Sequence, residues 1–355
     1  MKRYKSYATW AATVAAFTGT IITPSAGTAA EHTIRLTTLA PRDSSYHKTL
    51  QRMGQSWRRA SNGSVDLVIY PGGIQGGEAA MVDRMRINQS QASLLSATGL
   101  TKIEPGVSGL QVMPMMFRSL DEVDYVGQKL RPVLNKRLRE NGFIVLFWGD
   151  TGWVRFFTNR PAVTPDDIRK LKLFTWAGHT PTVDLFRASG FNVVPLETGD
   201  ILTGLQTGLI DGVPMPPFFA LASQVYGPAP YMLEINWAPL VGALVIKRQT
   251  WEAIPFEIRM KMMAAAHIAG EEITATGRTE SVASVRAMET KWGLQVHTPD
   301  SATRALWAQQ SALAYNTIRG GIVPEEIYDE VQIHLSEYRQ NGLSEAVATT
   351  TDTNR

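Results

Sequence analysis

The stretch TPDDIRKLKLFTWAGHTPTVDLFRASGFNVVPL, residues 164–196, contains one helix-and-strand pattern twice. Thr164 is a predicted N-cap, Pro165 takes the first helical position, and two acidic residues follow in the first turn. A second Thr-Pro pair at 180–181 repeats this start, with Thr180 as the cap, and Gly190 supplies a left-handed stop. Each predicted helix is followed by a short apolar strand, KLFTW and then NVVPL. This alternation predicts an α/β fold.

The first part of the chain shows the same alternation. The strand patterns HTIRLTTLAP, VDLVIYPGG and ASLLSATGL begin at His32, Val65 and Ala92, and segments with helical spacing separate them. This order implies right-handed crossovers and a parallel sheet. The stretch WAPLVGALVIKRQTW, residues 237–251, predicts a long strand that returns to this first unit, and a long helix is predicted over residues 255–291.

Two α/β units joined without a low-complexity linker follow from this pattern. The predicted division places residues 31–152 and 241–280 in lobe I, residues 153–240 and 281–342 in lobe II, and residues 343–355 in a flexible tail.

The first thirty residues have the composition of an export signal. Lys2, Arg3 and Lys5 form a basic start, an uncharged Ala-rich stretch follows, and small residues end the segment at Ala30. We therefore expect a periplasmic protein whose signal peptide, residues 1–30, is cleaved near Ala30; an uncleaved N-terminal anchor is the alternative. Without these three bases the formal net charge falls from +3 to 0, so the charge does not indicate nucleic-acid binding. The absence of cysteine means that the core alone must hold the exported chain.

The sequence carries no catalytic signature. GVSG at 106–109 is one residue short of a nucleophile elbow, and there is neither a P-loop nor a G-x-G-x-x-G motif opening a helix. The six histidines are scattered, so no metal site is predicted. We expect no enzyme, no catalytic residue and no cofactor; a two-lobed exported α/β protein without such motifs is by default a solute-binding protein.

Several segments together resemble one family. In chain order they are IRLTTLAP, SVDLVIYPGG, GGEAAMVDRMR, LQVMPMMF, WVRFFTNRPAVTPDDIRKLKL and VVPLETGDILTGLQTGLIDG. This order resembles the solute-binding proteins of TRAP transporters, the DctP family, from about Thr33 to about residue 340. The resemblance implies a two-lobed periplasmic-binding-protein fold of the α/β class, with a ligand cleft between the lobes and long helices bridging them. It also implies a small organic ligand, closure of the lobes, and delivery to a membrane permease driven by an ion gradient.

The departures from the family pattern concern the ligand. Carboxylate-binding members carry an arginine in the strand after the peDl-gLK helix, and Phe174 stands at that position here. A second family arginine is retained as Arg155, while Pro214, Met215 and Phe218 replace the wall where the family has an asparagine. A buried carboxylate that loses its partner is destabilised by about 3–5 kcal/mol, whereas apolar walls favour apolar ligands. These replacements resemble a branch of the family that handles hydrophobic molecules and can use a periplasmic TPR-repeat protein as an extra partner.

Each candidate residue has a structural alternative. Phe174 and Trp176 are one alternation apart, so both face one side, either ordinary core or the wall of a site. Trp148 and Trp153 flank the crossing between lobes, Arg155 is a ligand contact or an ion-pair partner of Asp150, and the Pro214 segment lines the site or acts as a hinge. The remaining candidates lie in loops of the first lobe, namely Ala40, Pro41, Gly77, Thr98 and Phe117, of which Phe117 also fits a core role.

The leading function is therefore capture of an apolar or amphipathic organic ligand in the periplasm for a TRAP permease. Binding of an organic carboxylate through Arg155 is one alternative, and a ligand sensor or interaction protein is another.

Overall fold

The computed structural model describes residues 30–352, except for the side chains of residues 188 and 342–352. Within these residues the strands are β1 His32–Thr38, β2 Val65–Tyr70, β3 Ala92–Ser96, β4 Phe143–Trp153, β5 Arg155–Thr158, β6 Lys172–Trp176, β7 Asn192–Leu196, β8 Gly212–Met215, β9 Tyr231–Leu233, β10 Pro239–Lys247 and β11 Gln295–His297. The α-helices are α1 Ser45–Ala60, α2 Glu78–Arg86, α3 Ala97–Leu100, α4 Leu120–Glu140, α5 Pro165–Arg169, α6 Thr180–Ala188, α7 Ile201–Gln206, α8 Pro217–Ala222, α9 Arg248–Ala253, α10 Phe256–Trp292, α11 Ser301–Ile318 and α12 Glu325–Asp352. Short 3₁₀ helices occur at Pro105–Leu110 and Thr198–Asp200.

The first lobe is built on a five-stranded sheet with the order β2-β1-β3-β10-β4. β1 pairs in parallel with β2 and β3, as the alternation predicts, but β10 is antiparallel to both β3 and β4. The parallel pairing predicted for the first three strands is confirmed, whereas β10 arrives directly from the second lobe instead of through a crossover helix and is antiparallel. The predicted return of this strand to the first unit is confirmed.

The second lobe contains a six-stranded sheet with the order β11-β9-β5-β8-β6-β7. β6 is parallel to β7 and β8, and β5 is antiparallel to β8 and β9. Apolar cores cover both faces of each sheet, as a layered α/β architecture requires.

The repeated helix starts differ in their caps. The Thr164 hydroxyl accepts a hydrogen bond from the Asp167 amide at 3.2 Å, and the Asp167 carboxylate accepts from the Thr164 amide at 3.0 Å. This capping box confirms the first prediction, and its hydrogen bonds lower the pKa of Asp167. The second cap is wrong by one residue, because α6 begins at Thr180 and His179 is its N-cap. Gly190 ends this unit with φ +81°, as predicted.

Continuous elements join the two lobes. β4 ends at Trp153 in the first sheet, and β5 begins two residues later in the second. Helix α10 contributes Met262 and Ile273 to the core of the first lobe and Met288 to the core of the second. The long helix predicted over 255–291 is therefore confirmed, and it braces both lobes.

The C-terminal helix packs differently from the predicted division. Ile327, Val331 and Leu335 of α12 share one core with Leu130 and Leu134 of α4. The assignment of residues 281–342 to lobe II thus does not describe α12, because its apolar face is buried against the first lobe. α12 continues to Asp352 across the predicted tail, where no Pro or Gly after Gly342 interrupts the helical sequence.

The predicted signal peptide and residues 353–355 lie outside the described residues. Among the helices that are described, none is long and apolar enough to span a bilayer.

Candidate functional site

A cavity of about 130 Å³ lies between the lobes, and we call it the central cavity. The first lobe contributes the ends of β1 and β3, the end of β4 and the start of β10, while the second contributes the end of β6 and the segment after β8. Carboxyl ends of parallel strands meet at one edge of a sheet, which is where α/β proteins bind ligands. The lining residues are Thr38, Leu39, Ala40, Pro41, Tyr46, Glu78, Leu94, Leu95, Ser96, Phe147, Gly149, Asp150, Thr151, Trp176, Thr198, Ile201, Met215, Pro216, Phe219, Ser223, Leu240, Val241, Gly242 and Ile273.

Aromatic rings form much of the wall. The Tyr46 ring stacks on Phe218 with centroids 5.2 Å apart, and Phe219 lies 6.2 Å from Tyr46. Tyr46, Phe147 and Phe219 reach the cavity, whereas Phe218 stands behind them in the core of the first lobe. Phe219, and not the predicted Phe218, therefore lines the central cavity, because α8 turns the Phe219 ring toward it.

Phe174 and Trp176 face the same side of β6, as their spacing predicts. Their rings make an edge-to-face contact at 5.1 Å with an interplanar angle of 76°. Phe174 is buried in the core of the second lobe and also lines a smaller cavity of about 90 Å³ beside the central one. Trp176, Thr98 and Pro214 line this second cavity too, and Trp176 separates it from the central cavity.

A third cavity, of about 350 Å³, opens at the rim between the lobes, and we call it the rim cavity. Its lining includes Gly77, Thr98, Trp176 and His179. Across it Thr101 Oγ1 of the first lobe and His179 Nε2 of the second are 3.0 Å apart. A Cβ atom at Gly77 would collide with the Glu197 carboxylate, so glycine permits this close approach of the lobes.

One acidic side chain at the central cavity is paired with an arginine. Asp150 is buried, and its carboxylate accepts hydrogen bonds from Arg278 Nε at 2.9 Å and Nη2 at 2.6 Å. Arg278 also binds Asp124 at 2.8 and 2.7 Å, which holds the pKa of Arg278 above its usual value despite desolvation. The Tyr46 hydroxyl donates to the Asp150 carbonyl at 3.4 Å, and burial together with the Asp150 charge raises the pKa of Tyr46 well above its ordinary value.

The second acid, Glu78, has no such partner. Its side chain is buried at the start of α2 and accepts hydrogen bonds from the Ser96 amide at 2.6 Å and the Ser96 hydroxyl at 2.5 Å. Burial raises the pKa of Glu78, and bonds from Ser96 and the Gly99 amide oppose that shift. Glu78 lines both the central and the rim cavity, so it connects the two.

Arg155 does not extend into any of the three cavities. Its guanidinium donates to the Asn236 side chain, and burial lowers its pKa to about 10. The predicted pairing of Arg155 with Asp150 is wrong, because Arg278 of α10 occupies that carboxylate.

Three further aromatic candidates also lie away from the cavities. Trp148 turns toward α4, where its Nε1 donates to Asn135 Oδ1 at 2.8 Å. Trp153 packs against the core of the first lobe and Phe117 is part of that core. Trp148 and Trp153 lie on β4 but line none of the three cavities, and sequence alternation alone does not decide which face of a strand meets the cleft; Phe117 lies outside the strands.

The remaining candidates are brought together at the cleft. Ala40, Pro41, Trp176 and Met215 line the central cavity, and Phe174, Thr98 and Pro214 line the second one, with Gly77 at the rim. Sequence reasoning missed Tyr46, Glu78, Thr151, Thr198 and Phe219. The available signal for Glu78 was its place after Gly76–Gly77, but an acid in a first helical turn is ordinarily explained by the helix dipole.

Among residues 30–352, no group of three or more His, Asp or Glu side chains is placed to hold a metal ion. The central cavity is thus a largely apolar site between the lobes with two buried acids in its wall.

Comparison with known proteins identifies the family. The sequence model of the bacterial extracellular solute-binding proteins, family 7 (DctP), matches residues 36–319. The C4-dicarboxylate-binding periplasmic protein DctP of Rhodobacter capsulatus is 22% identical over 255 residues, covering 70% of this chain and 75% of that protein. The 2,3-diketo-L-gulonate-binding periplasmic protein YiaO of Escherichia coli K12 is 22% identical over 271 residues, covering 76% of this chain and 80% of its own length.

Solved structures share the fold. The sugar acid binding protein DctPAm of Advenella mimigardefordensis, in complex with galactonate, superposes with a TM-score of 0.80 at 16% identity, covering 87% of this chain and 99% of that chain. A TRAP periplasmic solute-binding protein of Sulfurospirillum deleyianum with bound succinate gives a TM-score of 0.77 at 19% identity, covering 85% and 99%. These matches confirm the predicted two-lobed α/β fold.

Proposed function

The chain belongs to the DctP family of bacterial extracellular solute-binding proteins, and from this premise we propose that it captures an apolar or amphipathic organic ligand in its central cavity. The family binds small organic ligands and works with TRAP membrane permeases. Closure of the two lobes around the ligand would present the loaded form to such a permease.

The charge of the cavity lining carries the proposal. No Lys or Arg is among the described residues that line the central cavity, and its two carboxyl groups are Asp150 and Glu78. An anionic ligand would enter an apolar space with no cation to replace its water and with Glu78 close by, which is energetically unfavourable. An apolar skeleton instead gains roughly 25 cal/mol for each Å² that it removes from water.

The two arginine positions of the family support the same conclusion. Phe174 stands at the first, and its ring is packed edge-to-face on Trp176. Arg155 stands at the second, but it lines none of the three cavities, and its guanidinium donates to Asn236 instead. A bidentate carboxylate clamp, which needs a free planar guanidinium, is therefore missing from the described cleft.

The alternative ligand is an organic acid. Relatives and structural neighbours bind C4-dicarboxylates, galactonate or succinate, which favours this second candidate. Such binding would require Arg155 to leave Asn236 and turn into the cleft. We place it second because the cavity itself offers no cation.

Three further parts of the proposal concern setting and partners. We propose that the chain acts as a binding protein without enzymatic activity. Thr101 and His179 do form a hydroxyl–imidazole pair at the rim, but His179 Nδ1 has no hydrogen-bond partner within the described residues, so the third group that would orient a catalytic base is missing there. We propose that residues 1–30 are an export signal cleaved near Ala30, which would deliver the chain to the periplasm. A periplasmic TPR-repeat protein is proposed as an additional partner on the sequence resemblance alone.

The identity of the co-purified ligand tests the function. Native mass spectrometry of the purified mature chain, followed by organic extraction, is expected to recover an apolar or amphipathic molecule. Tight binding of succinate, galactonate or another small organic acid would overturn the apolar assignment while leaving the family untouched.

A further inference from the structure

This inference rests on the proposed function and concerns the polar part of the ligand. Glu78 is a buried carboxyl group at the junction of the central and rim cavities. No salt bridge of Glu78 occurs in the described part of the chain, and the nearby Lys102 ammonium binds Asp83 at 2.5 Å. Within that part, Glu78 is therefore a buried acid without a salt-bridge partner; no Lys or Arg lines the central cavity, and Lys102 in the rim cavity is paired with Asp83.

The hydrogen bonds of Glu78 leave acceptor capacity free. The Ser96 amide, the Ser96 hydroxyl and the Gly99 amide all donate to the carboxylate. A carboxylate has about four lone-pair sites, so at least one remains for a further donor. These hydrogen bonds hold Glu78 in place, but they leave part of the acceptor capacity of its carboxylate unused.

A second observation points to a ligand in the same cavity. The hydroxyl oxygens of Thr151 and Thr198 are buried and have no hydrogen-bond partner, and both residues line the central cavity. Thr151 is only 6% exposed and follows Asp150 at the end of β4, whereas Thr198 comes from the second lobe. Because a buried hydroxyl without a partner costs free energy, these two unpaired hydroxyls in the cavity wall, one from each lobe, are available to a polar group of the ligand.

We propose that Glu78 selects a ligand whose polar group donates hydrogen bonds, an ammonium or a hydroxyl group on an apolar skeleton, and rejects a carboxylate. The donor replaces the missing cation beside Glu78, and Thr151 and Thr198 complete its hydrogen bonds when the lobes close. The aromatic rings of Trp176 and Tyr46 in the same wall suit an ammonium group through cation–π attraction, and they equally suit the apolar skeleton.

Three probes with one skeleton separate these chemistries. Benzylamine, benzyl alcohol and benzoate share a single ring, and a cavity of about 130 Å³ has the size of cavities that hold one benzene. Isothermal titration calorimetry with the mature chain should give tighter binding of the alcohol or the amine than of benzoate, by about tenfold or more. Whichever of benzylamine and benzyl alcohol binds more tightly identifies the donor group, ammonium or hydroxyl, that the site prefers.

Glu78→Gln is the decisive variant. Gln keeps the shape and an acceptor oxygen but loses the charge, so the preference for benzylamine or benzyl alcohol over benzoate should shrink by roughly tenfold. Glu289→Gln, on an exposed part of α10 outside the three cavities, is the matched control and should leave the ratio unchanged.

The failures are distinguishable. If the wild type binds the amine and alcohol but Glu78→Gln leaves the ratio unaltered, the inference about Glu78 is wrong and the proposed function stands. If the wild type takes up succinate or galactonate in preference to all three probes, the proposed function itself fails. Should Glu78→Gln not fold, as judged by circular dichroism, Thr151→Val and the wild-type ranking decide. Benzoate binding as tightly as benzyl alcohol, or unchanged alcohol binding in Thr151→Val, overturns the proposal.

Discussion

Two buried acids lie at the central cavity, and they are held in opposite ways. Asp150, on the side of α10, shares Arg278 with Asp124 in a network of four charge-assisted hydrogen bonds. Glu78, on the side of α2, is held by Ser96 and by the Gly99 amide and forms no salt bridge within the described residues. Asp150 has a cationic partner within the protein, whereas Glu78 has only hydrogen-bond donors. The difference assigns a structural role to one acid and a ligand role to the other.

Removing the cation of the paired acid should have the largest effect. Arg278→Ala leaves Asp150 buried without its partner, and this should lower the free energy of unfolding by about 3 kcal/mol, the low end for a broken buried pair because Arg278 is partly exposed. Guanidinium unfolding measured by circular dichroism gives the value.

Arg52→Ala is the matched control for this change. Arg52 pairs with Glu272 between the exposed faces of α1 and α10, so its loss should cost less than about 1 kcal/mol. Equal costs for the two substitutions would remove the distinction between a buried network and a surface pair.

Truncating the aromatic ring that shares two cavities with the unpaired acid should have the next largest effect. Trp176 lines all three cavities and shares two of them with Glu78. Trp176→Ala removes apolar area from the wall and should weaken binding of the apolar ligand by about 10- to 100-fold in calorimetry. Trp148→Ala, on the other side of the sheet, should change affinity little, and a comparable loss there would contradict the assigned wall.

The unpaired acid should reveal itself in the pH dependence of stability. Burial raises the pKa of Glu78, which ionises near pH 4.3 in the unfolded chain. Its contribution to stability is therefore fully present below that value and is lost as the pH rises through the raised folded-state pKa. Gln has no proton to lose, so the melting temperature of the wild type should fall relative to Glu78→Gln as the pH rises above about 4.3. Parallel curves would mean that the carboxyl group is not desolvated.

The contact across the rim should give the smallest effect. Burial lowers the pKa of His179, so its neutral form is favoured when it meets Thr101. The stability that this contact contributes is fully present above about pH 6.5, the ordinary pKa of histidine. It is lost as the pH falls through the lowered pKa of His179. Lys102, Glu78 and Glu197 line the same cavity and contribute to its field. We expect ligand affinity to drop a few-fold from about pH 7.5 to about pH 5.5 in the wild type and less in His179→Gln; the same slope in both would exclude His179.

The fold could be predicted because its signals are local. The Thr164 capping box, the Gly190 stop and the length of α10 are written in consecutive residues, and the structure agrees with each. The antiparallel entry of β10 and the packing of α12 on α4 could not be read, because they depend on pairings between distant segments.

The site was predicted less completely for a related reason. Core packing and site lining are predicted as alternatives for Phe174, but its ring is buried in a core and also borders a cavity. Trp148 and Phe147 are adjacent on β4 and face opposite sides, so one unresolved alternation placed the wrong aromatic in the cleft. Arg155 keeps its family position while its head group is directed elsewhere by Asn236, a contact between segments 81 residues apart.

Helix α10 has 37 residues and is about 55 Å long. In mechanical terms it is a beam clamped at both ends, since its first half is packed into one lobe and Met288 into the other. Gly270 and Gly277 let the Phe147 and Tyr46 side chains press directly against this beam, and both rings also form the cavity wall. Both rings therefore connect the cavity wall directly to the helix that spans the two lobes, without an intervening loop.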